Sequence, residues 1–307
     1  MTPILAAPVF VASIALMLLA SAQFARRLDR AGLRLGLPEA LLGLLTAFAA
    51  DAPEISSAIS ALVQHEHAVA IGVVVGSNAF NLAAMLGLSA LITGRIRAEH
   101  DTFQLEAVAG LSLLAVMLAV AAGALGGAAG GALVGAVAVT YLVLLAREPR
   151  REPQTRHSWR EAAGLLAVLL LALAVIVAGS VGAVRAATDL AAAWSVPDAL
   201  VGVVVLAILT SLPNAWTGIR FGLQGRGSAL ASETLNSNSI NLAAGLALPA
   251  ALGSLTTFSS LDVFDLAWLF GLTVAALLLF GRRGGAGRLA GAFLILGYAV
   301  FVVVQVA

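Results

Sequence analysis

The sequence predicts an all-α polytopic membrane protein, with ten transmembrane helices forming two inverted five-helix repeats and both termini outside. Three observations predict this. The 307 residues are 61% hydrophobic and 11% charged, with a mean hydropathy of +1.01, which is too little charged surface for a soluble domain. Apolar stretches longer than about 18 residues recur along the whole length, whereas the short alternating segments of a β-barrel do not occur. An unusual polar pattern also occurs twice. AADAPEISS followed by GSNAFNLAA returns 160 positions later as LTSLPNAWT followed by NSNSINLAA.

The apolar segments fall near 3–24, 37–62, 68–93, 104–122, 130–146, 161–183, 197–221, 228–252, 262–280 and 288–306. Each is long enough to cross a hydrocarbon core of about 30 Å. The first could be taken for a secretory signal, since Ala20-Ser21-Ala22 resembles a cleavage site. MTPILAAPVF has no basic start, however, and Arg26-Arg27 directly follow the run, so a retained span is expected. The fourth and fifth are divided only by the Gly/Ala run AAGALGGAAGG. The division into units is 1–147, a basic cytoplasmic linker at 148–160, and 161–307.

Orientation follows from arginine, because the chain has no lysine. With ten helices, every arginine except Arg185 falls on one side, and the positive-inside rule makes that side cytoplasmic. One missed or invented internal helix would move every later arginine to the other side. Five helices per half is an odd number, so two homologous halves lie upside down relative to each other, a recurrent plan among secondary transporters. Cysteine is absent, which excludes disulfides and thiol chemistry. The arginine-rich 147–160 segment suits topology and contact with anionic lipid.

The repeated pattern carries the chemistry. Pro53 and Pro213 occupy equivalent positions inside the second and seventh spans. Each removes a backbone donor and frees the carbonyl four residues earlier, at Ala49 and Leu209. In hydrocarbon such a carbonyl needs a partner, and a cation can serve. A single proline would read as an ordinary kink, but two at equivalent positions beside polar residues point to a site. Asp51 and Glu54 lie three residues apart on one helix face. An intramembrane carboxylate is costly unless paired, hydrated or protonated. With no intramembrane arginine to pair with them, a cation or proton is the natural counter-charge. The alternative for Asp51 is a helix end in contact with water. Asn78, Asn81, Asn238 and Asn241, with Ser77 and Ser237, supply hard oxygen ligands suited to sodium or calcium. They would otherwise serve as interhelical hydrogen bonds of about 1 kcal/mol each. Thr210, Ser211 and Asn214 are the second-half counterparts of Ala50, Asp51 and Glu54, so both carboxylates are expected in the first half and only neutral oxygens in the second. Protons should compete with the cation for these acids. His65-Glu66-His67 reads as a solvated turn, Asp262 and Asp265 as caps of the ninth span, and Glu106 and Asp189 as interfacial.

These residues resemble the calcium:cation antiporter superfamily, whose sodium/calcium exchangers carry two inverted repeats, each with a TSLPE-like motif followed by GSNxxN. The second half keeps TSLPN and NSNSIN, and the first keeps APE and GSNAFN. Glu54 to Asn81 and Asn214 to Asn241 are both 27 positions apart, as in the family. The resemblance implies ion-binding roles for Glu54, Ser77, Asn81, Thr210, Ser211 and Ser237, and Asn241 stands where the family has Asn or Asp. It departs at Asn214, where the family has glutamate, and at Ala50-Asp51, where it has Thr-Ser. Either Asp51 compensates for the charge missing at 214 by moving it to the other half, or the change alters stoichiometry or ion choice.

The expected function is therefore a cation antiporter, not an enzyme. It would export Ca2+ in exchange for Na+ or H+, and its ion site comprises Asp51, Glu54, Ser77, Asn81, Thr210, Ser211, Asn214, Ser237 and Asn241. No cofactor and no nucleic-acid partner are expected; the partners are inorganic cations and membrane lipid. The alanine-, glycine- and arginine-rich composition suggests a GC-rich bacterium and its inner membrane. The rival reading within transport is exchange of Na+ or K+ against H+. An intramembrane enzyme ranks lower, because Asp51 and Glu54 lack basic phosphate-binding neighbours, and so does a transport-dead sensor.

Overall fold

The computed structural model describes residues 1–34, 39–98, 100–146, 159–282 and 284–306. The first half runs α1 (Pro3–Arg34), α2 (Glu39–Ala50), α3 (Ala52–Val63), α4 (His67–Asn81), α5 (Ser89–Thr93), α6 (His100–Ala121) and α7 (Gly127–Ala146). The second runs α8 (Trp159–Trp194), α9 (Asp198–Leu200), α10 (Ala207–Thr210), α11 (Leu212–Leu223), α12 (Gly227–Leu242), α13 (Leu248–Ala251), α14 (Ser260–Phe280) and α15 (Arg288–Val306). Wider π-helical turns at Leu82–Leu88, Val201–Leu206 and Ala243–Ala247 join α4 to α5, α9 to α10 and α12 to α13. Among the described residues, the only strands are β1 (Arg95–Ile96) and β2 (Ala286–Gly287), which pair antiparallel. The all-α expectation holds.

The expected ten spans are only partly matched. Among the described residues seven helices are long and apolar enough to cross a bilayer, and an eighth is added if residues 198–210 and 212–223, bent by 49°, form one span. The two expected spans that fail are α2–α3 and α12–α13. The first divides at Asp51 into two twelve-residue helices. The second contains the polar run GSALASETLNSNSINL. Both segments that fall short carry part of the polar pattern, whereas residues 67–93, which hold GSNAFN, still qualify. The Gly/Ala run does separate two helices, since α6 ends at Ala121 and α7 starts at Gly127. Helix α8 continues to Trp194, past the expected end at 183, so Arg185 lies on an exposed helix face and not in a loop. The expected 148–160 linker lies outside the described residues up to position 158.

The repeat in the sequence reappears in the backbone. The breaks at Asp51 (φ −80°, ψ −7°) and Ser211 (φ −84°, ψ 0°) have nearly the same conformation. In both, proline occupies the second position of the following helix, where a missing N–H costs least. The chain still passes hydrogen bonds across each break: Asp51 N–H to Ala47 O at 2.9 Å and Ser211 N–H to Ala207 O at 3.1 Å. The next turns also match, with left-handed backbone at His65 (φ 64°) and Gly225 (φ 71°).

Helix α4 sits in the interior, with Val69, Ala70, Val73, Val74 and Val75 fully buried. It approaches the 201–206 turn so closely that a Cβ on Gly72 would lie 2.9 Å from Val203 N, and one on Gly202 would lie 2.5 Å from Val69 O. Helices α1 and α8 pack along each other, with Gly179 against the backbone of Ser13. Their outer faces expose Leu16, Leu19, Leu170 and Leu171, as lipid contact requires.

Candidate ion-binding site

All nine residues expected at the site are fully buried. The two breaks deliver most of them. Asp51 and Glu54 occupy the α2–α3 junction and first turn of α3, and Thr210, Ser211 and Asn214 occupy the α10–α11 junction. Ser77 and Asn81 project from α4, and Ser237 and Asn241 from α12.

The side chains meet across the halves. Asn214 Nδ2 donates to Asp51 Oδ1 at 2.7 Å, to Glu54 Oε1 at 3.0 Å and to Ser237 Oγ at 3.1 Å. The Ser237 hydroxyl donates to Asp51 Oδ1, and Asn81 Nδ2 donates to Ser237 Oγ at 3.1 Å and Asn238 Oδ1 at 3.2 Å. Ser211 adjoins the Glu54 carboxylate. Ser77 and Thr210 meet at one carbonyl, since each hydroxyl donates to Ala207 O at 3.4 Å. Asn241 joins through Asn78, donating to its Oδ1 at 3.3 Å. Asn78 and Asn238 are the helix-holding pair. Each amide donates to the other's backbone carbonyl, at 3.0 and 3.1 Å, across a separation of 160 residues.

The unpaired atoms are as informative. Asp51 Oδ2, Glu54 Oε2, Asn81 Oδ1, Asn214 Oδ1 and Asn241 Oδ1 are buried acceptors with no donor. Each would cost about 1–3 kcal/mol if left so. All five are oxygens, and they come from both halves. Among the described residues no arginine or histidine forms an ion pair with either acid. Acceptors in surplus around uncompensated carboxylates are what a dehydrated cation requires.

Several expectations need correction. The Ala49 carbonyl freed by Pro53 accepts the Ser21 hydroxyl at 3.2 Å, so it already has a partner within the protein. Glu106 does not face solvent or lipid. It is buried, accepting from Ser232 at 2.8 Å and from Asn236 at 3.4 Å. Asp262 caps α14 through reciprocal bonds with Ser259, whereas Asp265 is buried and accepts from Gln305. Asp189 is partly exposed and pairs with the N-terminal amine at 2.7 Å. His65-Glu66-His67 forms a partly exposed turn, and among the described residues no group of three His, Cys, Asp or Glu side chains is placed to hold one metal ion. The second half also carries an acid after all. Glu233 on α12 is 7% exposed with Oε1 unpartnered. The rule that flagged Glu54, a carboxylate within a membrane-length segment, applies to Glu233 equally.

The family model described as sodium/calcium exchanger protein matches residues 5–147 and 164–307. "Inner membrane protein YrbG" of Escherichia coli (strain K12) is 24% identical over 282 residues, 87% of this chain and 86% of that protein. Among solved structures, the sodium-calcium exchanger NCX_Mj soaked with 10 mM Na+ and zero Ca2+ superposes with a TM-score of 0.69 at 20% identity, covering 98% of this chain and 99% of that one. The same exchanger soaked with 10 mM Na+ and 10 mM Sr2+ gives a TM-score of 0.69 at 21% identity, covering 98% of each chain. At that identity the likeness is one of fold. The family match spans nearly the whole chain in two successive stretches, and with the helical fold and buried polar cluster it identifies this protein as a member of the sodium/calcium exchanger family of membrane cation antiporters.

Proposed function

We propose that this protein is a secondary antiporter of a bacterial inner membrane, exporting Ca2+ in exchange for Na+ or H+ by alternating access around the buried cluster. One observation carries the reading: five buried acceptor oxygens have no donor, two of them on carboxylates that no cationic side chain balances and three on asparagine amides contributed by both halves. Glu54 is the central ligand and Asp51 supplies the second charge. Asn81, Asn214 and Asn241 offer amide oxygens, and Ser77, Thr210, Ser211 and Ser237 offer hydroxyls. Asn214 now places its Nδ2 between the two acids, as a neutral stand-in for positive charge. Turning the amide over would remove the donor and present its unpartnered Oδ1 to an arriving ion.

The two halves, 1–147 and 161–307, are read as inverted repeats of five crossings each, with both termini outside and the arginine loops cytoplasmic. The matched breaks at Asp51 and Ser211 and the reciprocal Asn78–Asn238 bonds support this. Two inverted half-sites around one ion are the geometry through which a rocking motion exposes the site to either face.

Radiolabelled calcium uptake into proteoliposomes, driven by an opposed sodium or proton gradient, tests the reading. Glu54→Gln should abolish uptake while the protein still folds, and undiminished flux would refute the assignment. Exchange of Na+ or K+ against H+ is the second reading. It is favoured by an uncharged Asn214 where the resembling family has glutamate, and it calls for sodium-driven pH change without calcium uptake.

A further inference from the structure

Glu233 has no part in the cluster described above, yet it is built into the same interior. It lies on α12, one helical turn before Ser237, and residues four apart share a helix face. The carboxylate therefore lies along the same stripe as the hydroxyl that donates to Asp51. Its Oε1 is buried without a partner. The adjacent stripe of α12 is engaged elsewhere. Ser232 and Asn236 donate to Glu106, and the Tyr141 hydroxyl donates to Asn236 Oδ1 at 2.8 Å. These bonds fix the rotation of α12, so the placement of Glu233 beside the site is held by its neighbours. Among the described residues no arginine or histidine pairs with it. The equivalent position of the first half is Val73, so this acid has no counterpart there.

We propose that Glu233 is a further cation ligand, holding one monovalent cation such as sodium between its free Oε1 and Asp51, beside the divalent position at Glu54. The inference rests on reading the cluster as a cation site. Asp51, Glu54 and Glu233 do not converge on a single ion, so the Glu233 cation is a separate one. Charge balance agrees. Three buried carboxylates carry one more negative charge than a divalent ion cancels, and a monovalent ion held by carboxylate and hydroxyl oxygens completes the sum. The charge missing at Asn214 is then supplied from elsewhere in the second half.

Sodium competition against radiolabelled calcium on the purified full-length protein in nanodiscs tests this, using wild type, Glu233→Gln, Glu233→Asp and Glu54→Gln. Glu233→Gln should keep calcium affinity within a few-fold but require about ten-fold more sodium for displacement, with a lower Hill slope, as loss of one charged ligand implies. Sodium competition identical to wild type would overturn the inference. If Glu233→Gln fails to fold, Glu233→Asp decides: a shifted sodium dependence supports the proposal and an unchanged one overturns it. The two readings separate cleanly. Loss of calcium binding in Glu54→Gln with no effect at Glu233 removes only this inference. Unaltered calcium binding in Glu54→Gln, or none in wild type, removes both.

Discussion

At the scale of single residues the site is a contest for a few buried oxygens. Asn214 bonds to both first-half acids and to Ser237 at once, so its side chain sets what the cluster accepts. Replacing it with glutamate adds a charge and removes the amide donor. Asn214→Glu should therefore raise calcium affinity relative to sodium by about ten-fold, the scale of one charged interaction, and a competition titration checks this. Asp51→Asn should weaken calcium binding without abolishing the fold, because Ser237 and Asn214 can still bond to the retained Oδ1. Protons compete for the same carboxylates, so calcium affinity should fall as the pH is lowered below neutrality, and a pH-independent affinity would count against the site. The motif residues could be read from the sequence because carboxylates, amides and prolines stand out in apolar runs. Glu233 does not stand out in the sequence because its segment is already rich in polar residues and the equivalent first-half position is Val73. The Asn78–Asn238 pair could not be told from ligands by sequence, since an amide donating to a carbonyl and one facing an ion have the same composition.

At the scale of elements, the helix breaks and the close glycine contacts position the cluster. The break at Asp51 and its equivalent at Ser211 place side chains from two short helices at one depth, and proline at the second position of each following helix marks both in the sequence. The consequence was less legible. A helix interrupted at its centre, or one as polar as α12, no longer satisfies the apolar-length rule, which is why ten expected spans become seven or eight among the described residues. The end of α8 is not legible in the sequence, since Arg185 ends the apolar run without ending the helix. Gly76 packs against Val203 and Ala207 next to the site. A methyl group there runs into the Val203 carbonyl, so Gly76→Ala should destabilise the protein by about 1–3 kcal/mol. Thermal melting in detergent measures that loss. An unchanged melting temperature would show that α4 and the 201–206 turn separate more readily than their contact suggests.

At the scale of the whole molecule, the two stretches of family match and the matched helix breaks at an offset of 160 fit the proposed organisation in two related halves. The fold class was legible from hydropathy, and the repeat from two motif pairs in order, because both rest on patterns that tertiary packing does not alter. Oxygens from both halves are proposed to enclose one dehydrated divalent cation at Glu54 and Asp51. The most direct measurement is anomalous diffraction from crystals soaked in a heavy divalent cation. The expected result is one strong peak about 2.3–2.6 Å from the free oxygens of Glu54 and Asp51, with Asn81 and Asn214 completing the shell. A peak bound only at the protein surface, or no interior peak in protein that transports calcium, would contradict the account.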